Sequence, residues 1–294
     1  MDMIEQLSAA LADRVAAVAG SVVRVATGRR AASGILWRPD VVVTSEQLLP
    51  GDLKDTEVRQ AGQTIAASLA GRDPGTNVAV LKLASPLGGP PPAAAGAPRV
   101  GSLALLVGAD DAGAPTSRLA LVHAVGGEWH SMAGGRIDSL IRLDARLGND
   151  EGGPVLSASG GLVGMSTAGP RRRTLVIPAA TLARVIDPLL AQGSVPRGWL
   201  GVALQPVMVP DSLRAAAGRD SGLMVVGLAG AGPAEAAGML PGDIVLELDG
   251  NPVSRPRGLA HLLGGERIGQ PVSLRVLRAG ALQTMTVTVG TRPA

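Results

Sequence analysis

The strongest constraint on this chain is a series of short β-rich runs that falls into two sets of six. Residues 22–25, 34–37, 41–44, 58–60, 64–69 and 78–83 are apolar or β-branched runs separated by turns of Gly, Pro and Asp. A Pro-, Gly- and Ala-rich stretch from 86 to 98 interrupts them. Six further runs follow at 102–107, 118–125, 139–143, 154–156, 161–166 and 175–177. Strands this short bury an apolar face most completely when each set closes on itself, so two packed antiparallel barrels are expected.

The flanks change period. Ile4, Leu7, Leu11, Val15 and Val18 recur at steps of three and four, with Asp2, Glu5 and Arg14 between them. That spacing predicts an amphipathic helix ending near Gly20, suited to packing or oligomerisation rather than to a membrane surface. A helix over 179–192 closes the barrel unit, and Gly193-Ser194-Val195-Pro196 reads as a linker. The remainder is a small α+β module with strands at 201–205, 222–227, 244–248, 272–277 and 284–289. They surround two short helices, one punctuated by Pro233 and Gly238 and one spanning about 256–263. The expected plan is therefore a helix over 1–19, a double barrel over 20–192, a linker over 193–196 and a second domain over 197–294.

Composition narrows the function. The chain has 294 residues, is 46% hydrophobic and contains neither Phe nor Tyr. Its cores are therefore filled by aliphatic residues, with Trp37, Trp129 and Trp199 as the large rings. No stretch reaches the roughly 18 apolar residues that a spanning helix needs. The formal charge is only +3 although the sequence pI is about 10.4. Two lysines, no tyrosine and no cysteine leave little to titrate between His and Arg, so the pI overstates the basic character at neutral pH. Arg171-Arg172-Arg173 is the one dense basic run, and without interleaved aromatics it reads as a solvated loop, not a nucleic-acid site. The absence of cysteine excludes disulfides and thiolate catalysis. Glu5, Asp13 and Arg14 break what would have to be the apolar core of an export signal, so a cytoplasmic location is expected.

The motifs name a resemblance. Val41-Val42-Val43-Thr44 is followed by Asp73-Pro74-Gly75-Thr76-Asn77-Val78-Ala79-Val80-Leu81-Lys82 and Asp144-Ala145. The loop Leu147-Gly148-Asn149-Asp150-Glu151-Gly152-Gly153-Pro154 comes next, then Arg197-Gly198-Trp199-Leu200-Gly201-Val202 and Ala236-Ala237-Gly238-Met239-Leu240-Pro241-Gly242-Asp243-Ile244. In that order they resemble the HtrA/DegP-type serine proteases. The resemblance implies a mostly β fold, a chymotrypsin-like double β-barrel followed by a PDZ domain.

The resemblance also implies where a catalytic triad should stand. The position of its histidine holds Gln47, that of its aspartate holds Asn77, and that of its serine holds Glu151. Acyl transfer by this machinery needs a hydroxyl nucleophile, an imidazole to take its proton and a carboxylate to orient the imidazole. Glutamine does not titrate and cannot act as a general base. Loss of a whole triad costs about a millionfold in turnover in the best-studied case. Glu151 is expected to set its carboxylate where the oxyanion-hole amides converge, against the substrate carbonyl oxygen. The approach from Asp144 to Gly152 is one residue shorter than the family's usual spacing. A catalytically degenerate chain, a pseudoprotease, is the expectation.

Other residues offer weaker routes to chemistry. Asp150 and Glu151 are adjacent, whereas a carboxylate dyad needs two side chains converging on one water. His123 and His130 match no metal-ligand spacing, and Ser131, Ser157 and Ser166 have no sequence partner. No metal or other cofactor is expected.

By resemblance, Trp199, Leu200 and Gly201 form the loop of a PDZ domain that captures a C-terminal carboxylate. Val202 begins the strand that pairs with the ligand, and Leu259 and Leu263 form the opposing wall. The expected function is a peptide-binding scaffold, adaptor or complex subunit. The alternatives are an active peptidase or chaperone-protease with a rearranged site, and a purely structural subunit. The family's trimers use aromatic contacts near the N-terminus, and this chain has no aromatic residue before Trp37.

Overall fold

The computed structural model describes residues 2–28, 30–51, 53, 55–89, 93–169 and 173–291. The chain divides into two compact units, Met1–Val195 and Pro196–Ala294, and each is taken by itself. Of the basic run, Arg171 and Arg172 lie outside the described residues, as do Pro90, Pro91 and Pro92 of the Pro-rich stretch.

Unit 1 opens with helix α1 (Met3–Val18). Asp2 caps it by accepting from the amides of Ile4 and Glu5, and Glu5 returns a bond to the Asp2 amide. Leu11, Val15 and Val18 of its apolar stripe pack on the core below. Strands β1 (Val22–Thr27), β2 (Arg30–Arg38), β3 (Val41–Ser45), β4 (Thr56–Gln60), β5 (Gln63–Asp73) and β6 (Val78–Leu83) close a barrel in the order β1-β2-β3-β6-β5-β4.

Strands β7 (Leu103–Ala109) and β8 (Pro115–Gly126) begin the second barrel, and β9 (Trp129–His130) and β10 (Arg136–Ile137) form a small ladder beside it. Strands β11 (Leu140–Arg146), β12 (Pro154–Ser157), β13 (Leu162–Ala168) and β14 (Arg173–Pro178) complete the barrel in the order β11-β14-β13-β12-β7-β8. Helix α2 (Ala179–Gln192) then stops at Gly193, which takes the left-handed conformation at φ 73°.

Each barrel has its own aliphatic filling, Val23, Leu36 and Leu81 in the first and Leu106, Val122 and Val155 in the second. A third cluster unites residues of both barrels with α2, including Ile35, Val107, Met165, Ile177, Leu182 and Leu189. With no Phe or Tyr to hand, branched aliphatics fill all three.

Unit 2 comprises β15 (Gly198–Trp199), β16 (Val202–Met208), α3 (Asp211–Ala217), β17 (Ser221–Leu228), α4 (Pro233–Ala236) and β18 (Ile244–Leu248). It continues with β19 (Asn251–Pro252), α5 (Pro256–His261), β20 (Pro271–Arg278), β21 (Ala281–Thr288) and β22 (Gly290–Thr291). Its main sheet runs β16-β17-β18-β20-β21, so β16 is an edge strand, while β15 pairs with β22.

The two barrels and the α+β unit agree with the expected fold class. Two details differ. The unit has a third helix, α3, which joins Val209, Ala217, Ile244, Leu246 and Leu277 in a cluster separate from the main core. Helix α5 ends at His261, leaving Leu262 and Leu263 in a terminal turn with their amides bonded to the carbonyls of Leu259 and Ala260. Among the described residues, no helix is long and apolar enough to cross a membrane.

Candidate functional site

The loop between β11 and β12 is held from both barrels. The Ser33 amide donates to the Glu151 carbonyl at 2.9 Å, and the Ser33 hydroxyl donates to that of Asn149 at 2.6 Å. On the other side, Gly152 N–H donates to the Ser166 carbonyl, and the Ser166 hydroxyl donates to that of Asp150. Gly152 is required here. Its φ is +88°, and a Cβ would lie 2.3 Å from the Ser33 carbonyl oxygen and 2.6 Å from Thr44 Oγ1.

Gln47, Asn77 and Glu151, far apart in sequence, converge beside this loop. Gln47 follows β3, Asn77 immediately precedes β6, and these strands are neighbours in the first barrel. Asn77 Oδ1 accepts from the Gln47 amide at 2.7 Å. Gln47 Nε2 donates to Glu151 Oε1 at 2.5 Å, and the same oxygen accepts from the Ser45 hydroxyl at 3.1 Å and the Ala168 amide at 3.2 Å. Asn77 Nδ2 donates to Ser45 Oγ at 3.0 Å and to Thr167 Oγ1. One network therefore joins all three triad positions, and it contains no imidazole.

The expected placement of the Glu151 carboxylate is corrected by these contacts. Its side chain does not aim at the oxyanion-hole amides. It turns toward β3 and the end of β13, because three donors meet Oε1 there. The Glu151 amide instead faces back into its own loop, toward the Gly148 carbonyl at 3.4 Å.

Ser45 and Thr167 belong to the site and were not singled out from sequence. Each is a hydroxyl in a β-rich run, and nothing local marks it; only the register of β3 and β13 brings both to Asn77. They are 0% and 3% exposed, so neither hydroxyl is offered to a substrate.

The remaining candidates do not join the network. Asp150 Oδ1 accepts from the Gly148 amide and pairs with Arg118 at 3.4 Å, so the adjacent carboxylates of Asp150 and Glu151 take different partners. The Ser131 hydroxyl accepts from the amides of Ala133 and Gly135, and Ser157 and Ser159 bond each other at 2.9 Å. His123 is exposed on β8 and His130 is half-buried in β9. Among the described residues, no three His, Asp or Glu side chains gather as metal ligands would.

The second candidate site is the edge of unit 2. Gly201 sits at φ +77°, and the loop's carbonyls are tied inward: Leu200 O accepts from the Ala234 amide and Gly201 O from that of Ala229, both at 2.8 Å. Strand β16 leaves the loop with a free outer edge, and α5 packs beside it. This is the geometry of β-strand addition.

The expected side-chain pocket needs revision, however. Leu200, Leu259 and Leu263 are 2%, 5% and 4% exposed and belong to the unit's core with Leu223, Val225 and Leu274. Trp199 and Val202 are half-buried, and so are Leu204 and Leu262, which sequence reading passed over. The groove's accessible apolar surface comes from Val202, Leu204 and Leu262, above a floor of buried leucines. Alternation along β16 and a three-residue step along α5 were the signals for the two missed residues.

Comparison with known proteins fits this architecture. Residues 32–165 match the trypsin-like peptidase domain family and residues 198–289 match the PDZ domain family. The "probable periplasmic serine endoprotease DegP-like" of Brucella suis biovar 1 (strain 1330) is 31% identical over 262 residues, covering 86% of this chain and 50% of its own. Its namesake in Pseudomonas fulva (strain 12-X) is 29% identical over 271 residues, covering 89% of this chain and 56% of its own. The chain thus spans about half the length of the curated relatives it matches. Among solved structures, the "HtrA-type protease AlgW with decapeptide" aligns at a TM-score of 0.75 with 25% identity, over 96% of this chain and 99% of that one. The same protease with a tripeptide aligns at 0.72 with 27% identity, over 96% and 97%. By sequence motifs, domain pair and fold, the chain is an HtrA-like trypsin-fold protein with a PDZ domain.

Proposed function

We propose that this chain is a non-catalytic member of its family, a pseudoprotease that binds polypeptide C-termini through its PDZ groove and serves as a scaffold, adaptor or complex subunit. One observation carries the reading: the triad positions hold two uncharged amides and a carboxylate bonded to one another, Gln47, Asn77 and Glu151. The two amides cannot take a proton from a hydroxyl, and the one carboxylate, Glu151, spends its Oε1 on three donors instead of standing beside an exposed hydroxyl. The two hydroxyls within reach are sealed from solvent. Peptide binding is supported separately by the open edge of β16 beside α5, and by structural neighbours solved with a decapeptide and a tripeptide.

The relatives' names favour a competing reading, an active serine endopeptidase with a rearranged site. One set of assays separates the two. The full chain is incubated with casein and with a serine-directed fluorophosphonate, and titrated with labelled peptides bearing a free C-terminus. The pseudoprotease reading expects intact casein, no covalent label and saturable peptide binding. Casein hydrolysis together with labelling would establish the endopeptidase, and absence of peptide binding would remove the scaffold role.

A further inference from the structure

The charges of unit 2 are largely satisfied within the unit. Asp211, Asp243, Glu247 and Asp249 are each ion-paired to arginine. Arg255 and Arg257 stand apart: both are exposed, and among the described residues neither side chain makes a hydrogen bond or ion pair. Both lie where α5 begins, the helix that packs beside the edge strand β16.

Their place along the groove follows from the other end of that helix. The Gly198 amide donates to the Leu263 carbonyl at 3.1 Å, which fixes the C-terminal end of α5 against the loop leading into Leu200 and Gly201. The N-terminal end therefore lies further along β16. A six-residue helix spans about 9 Å and an extended ligand advances about 3.3 Å per residue. With its C-terminus at the loop, a ligand paired to β16 would bring residues two to four upstream beside Arg255. Arg255 is on the appropriate face: its carbonyl accepts from the Leu259 amide at 3.3 Å, so it stands one turn before Leu259 and two before Leu262. The opposite wall, Val202-Ala203-Leu204-Gln205-Pro206-Val207-Met208, carries no charge to neutralise it.

We propose that the groove selects peptides with a carboxylate side chain two to four residues upstream of an apolar C-terminal residue, read by Arg255 with Arg257 at the rim. This rests on the reading of the β16–α5 groove as a C-terminal peptide site. An exposed guanidinium with no internal partner loses no existing bond on meeting a ligand carboxylate, and the fork of an arginine suits that group.

The test uses the full chain and fluorescein-labelled octapeptides ending in leucine. Four are compared: Glu at the second and fourth positions upstream, Gln at both, Lys at both, and the Glu peptide with an amidated C-terminus. The Glu peptide is expected to bind about three- to tenfold tighter than the Gln peptide, and the Lys peptide weakest. The gap should narrow at about 0.5 M salt, where exposed charges are screened. Arg255→Gln should bring the Glu and Gln peptides level, and Arg255→Glu should reverse the order of Glu and Lys. Equal affinity for Glu and Gln peptides, with amidation still abolishing binding, would overturn the proposal and leave the groove intact as a C-terminal site. A Glu preference that survives Arg255→Gln combined with Arg257→Gln would also overturn it. Binding indifferent to amidation, or none at all, would remove the groove reading and the proposal with it.

Discussion

Glu151 Oε1 is the point on which the network at the triad positions turns. It gathers donors from Gln47, Ser45 and Ala168 in a place where the residue is only 7% exposed. Glu151→Ala would take this acceptor from the Ser45 hydroxyl, which is 0% exposed, and from the Ala168 amide, while the exposed Gln47 keeps Thr167 Oγ1 and the Ala168 carbonyl, so a loss of about 1–2 kcal/mol in unfolding free energy is expected. Urea unfolding measures it; a change under about 0.5 kcal/mol would mean that solvent replaces the carboxylate at no cost. A second expectation concerns restoration. The triple change Gln47→His, Asn77→Asp and Glu151→Ser rebuilds the named side chains but leaves the loop as it is. The amide of residue 151 faces the Gly148 carbonyl instead of a substrate oxygen. Without a preorganised oxyanion donor, turnover loses a further factor of about a hundred or more. Casein hydrolysis by the triple variant should therefore stay near background, and robust hydrolysis would show that the loop was never the barrier. Gln47, Asn77 and Glu151 were legible because each lies at a fixed step from a marker, Thr44, Val78 or Gly152. Ser45 and Thr167 were not, because only strand register brings them to Asn77.

At the scale of elements, the short strands were legible from their alternation and turn residues, and even Gly193 marks the end of α2. Helix α3 was not. Its seven residues carry a single leucine, and the cluster it covers is assembled from strands distant in sequence. Two turns of helix with one large apolar residue show no period to detect. The groove was half legible for a related reason: a four-residue step on α5 finds Leu259 and Leu263, but burial, which only tertiary packing decides, makes them floor instead of wall. The loop before β16 carries the sharpest expectation at this scale. Gly201 lies at φ +77°, and a Cβ there would come within 3.3–3.4 Å of Trp199, Gly232 and Pro233. Gly201→Glu combines left-handed strain of about 1–2 kcal/mol with a negative charge at the mouth proposed for a carboxylate. Affinity for any free-C-terminus peptide should fall at least tenfold while casein stays intact, and unchanged affinity would displace the binding site from this loop.

For the whole molecule, the two units carry separate cores, with Leu36, Leu106 and Ile177 in one and Leu223, Val225 and Leu274 in the other. Each is expected to unfold as its own cooperative transition. Asp243 supplies a label for the second. It is 2% exposed, and burial pushes its carboxyl up. Arg278, which grips both oxygens at 2.7 Å, and the Leu240 amide at 2.8 Å more than offset this, holding the carboxyl below its ordinary value. A carboxylate depressed on folding contributes stability in full above its unfolded value near pH 4, and that contribution is lost as pH falls through the lower folded value. In unit 1, Asp138 and Asp40 are depressed as well, the first where the bonds from Thr181 and Arg184 outweigh burial and the second by Lys82. Both transitions should therefore move down in acid, and only a mutation tells them apart. Asp243→Asn removes the charge facing Arg278 and should cost about 2 kcal/mol at pH 7, lowering one transition by about 10 °C. The other should stay in place. Below about pH 4 the unfolded carboxyl takes up its proton while the folded one, held lower, does so later, so the gap between the two proteins should shrink by pH 3. Scanning calorimetry at both pH values reads this directly: a gap of equal size at pH 7 and pH 3 would show that the Asp243–Arg278 pair does not titrate there, and movement of both transitions by the one substitution would show that the units unfold together.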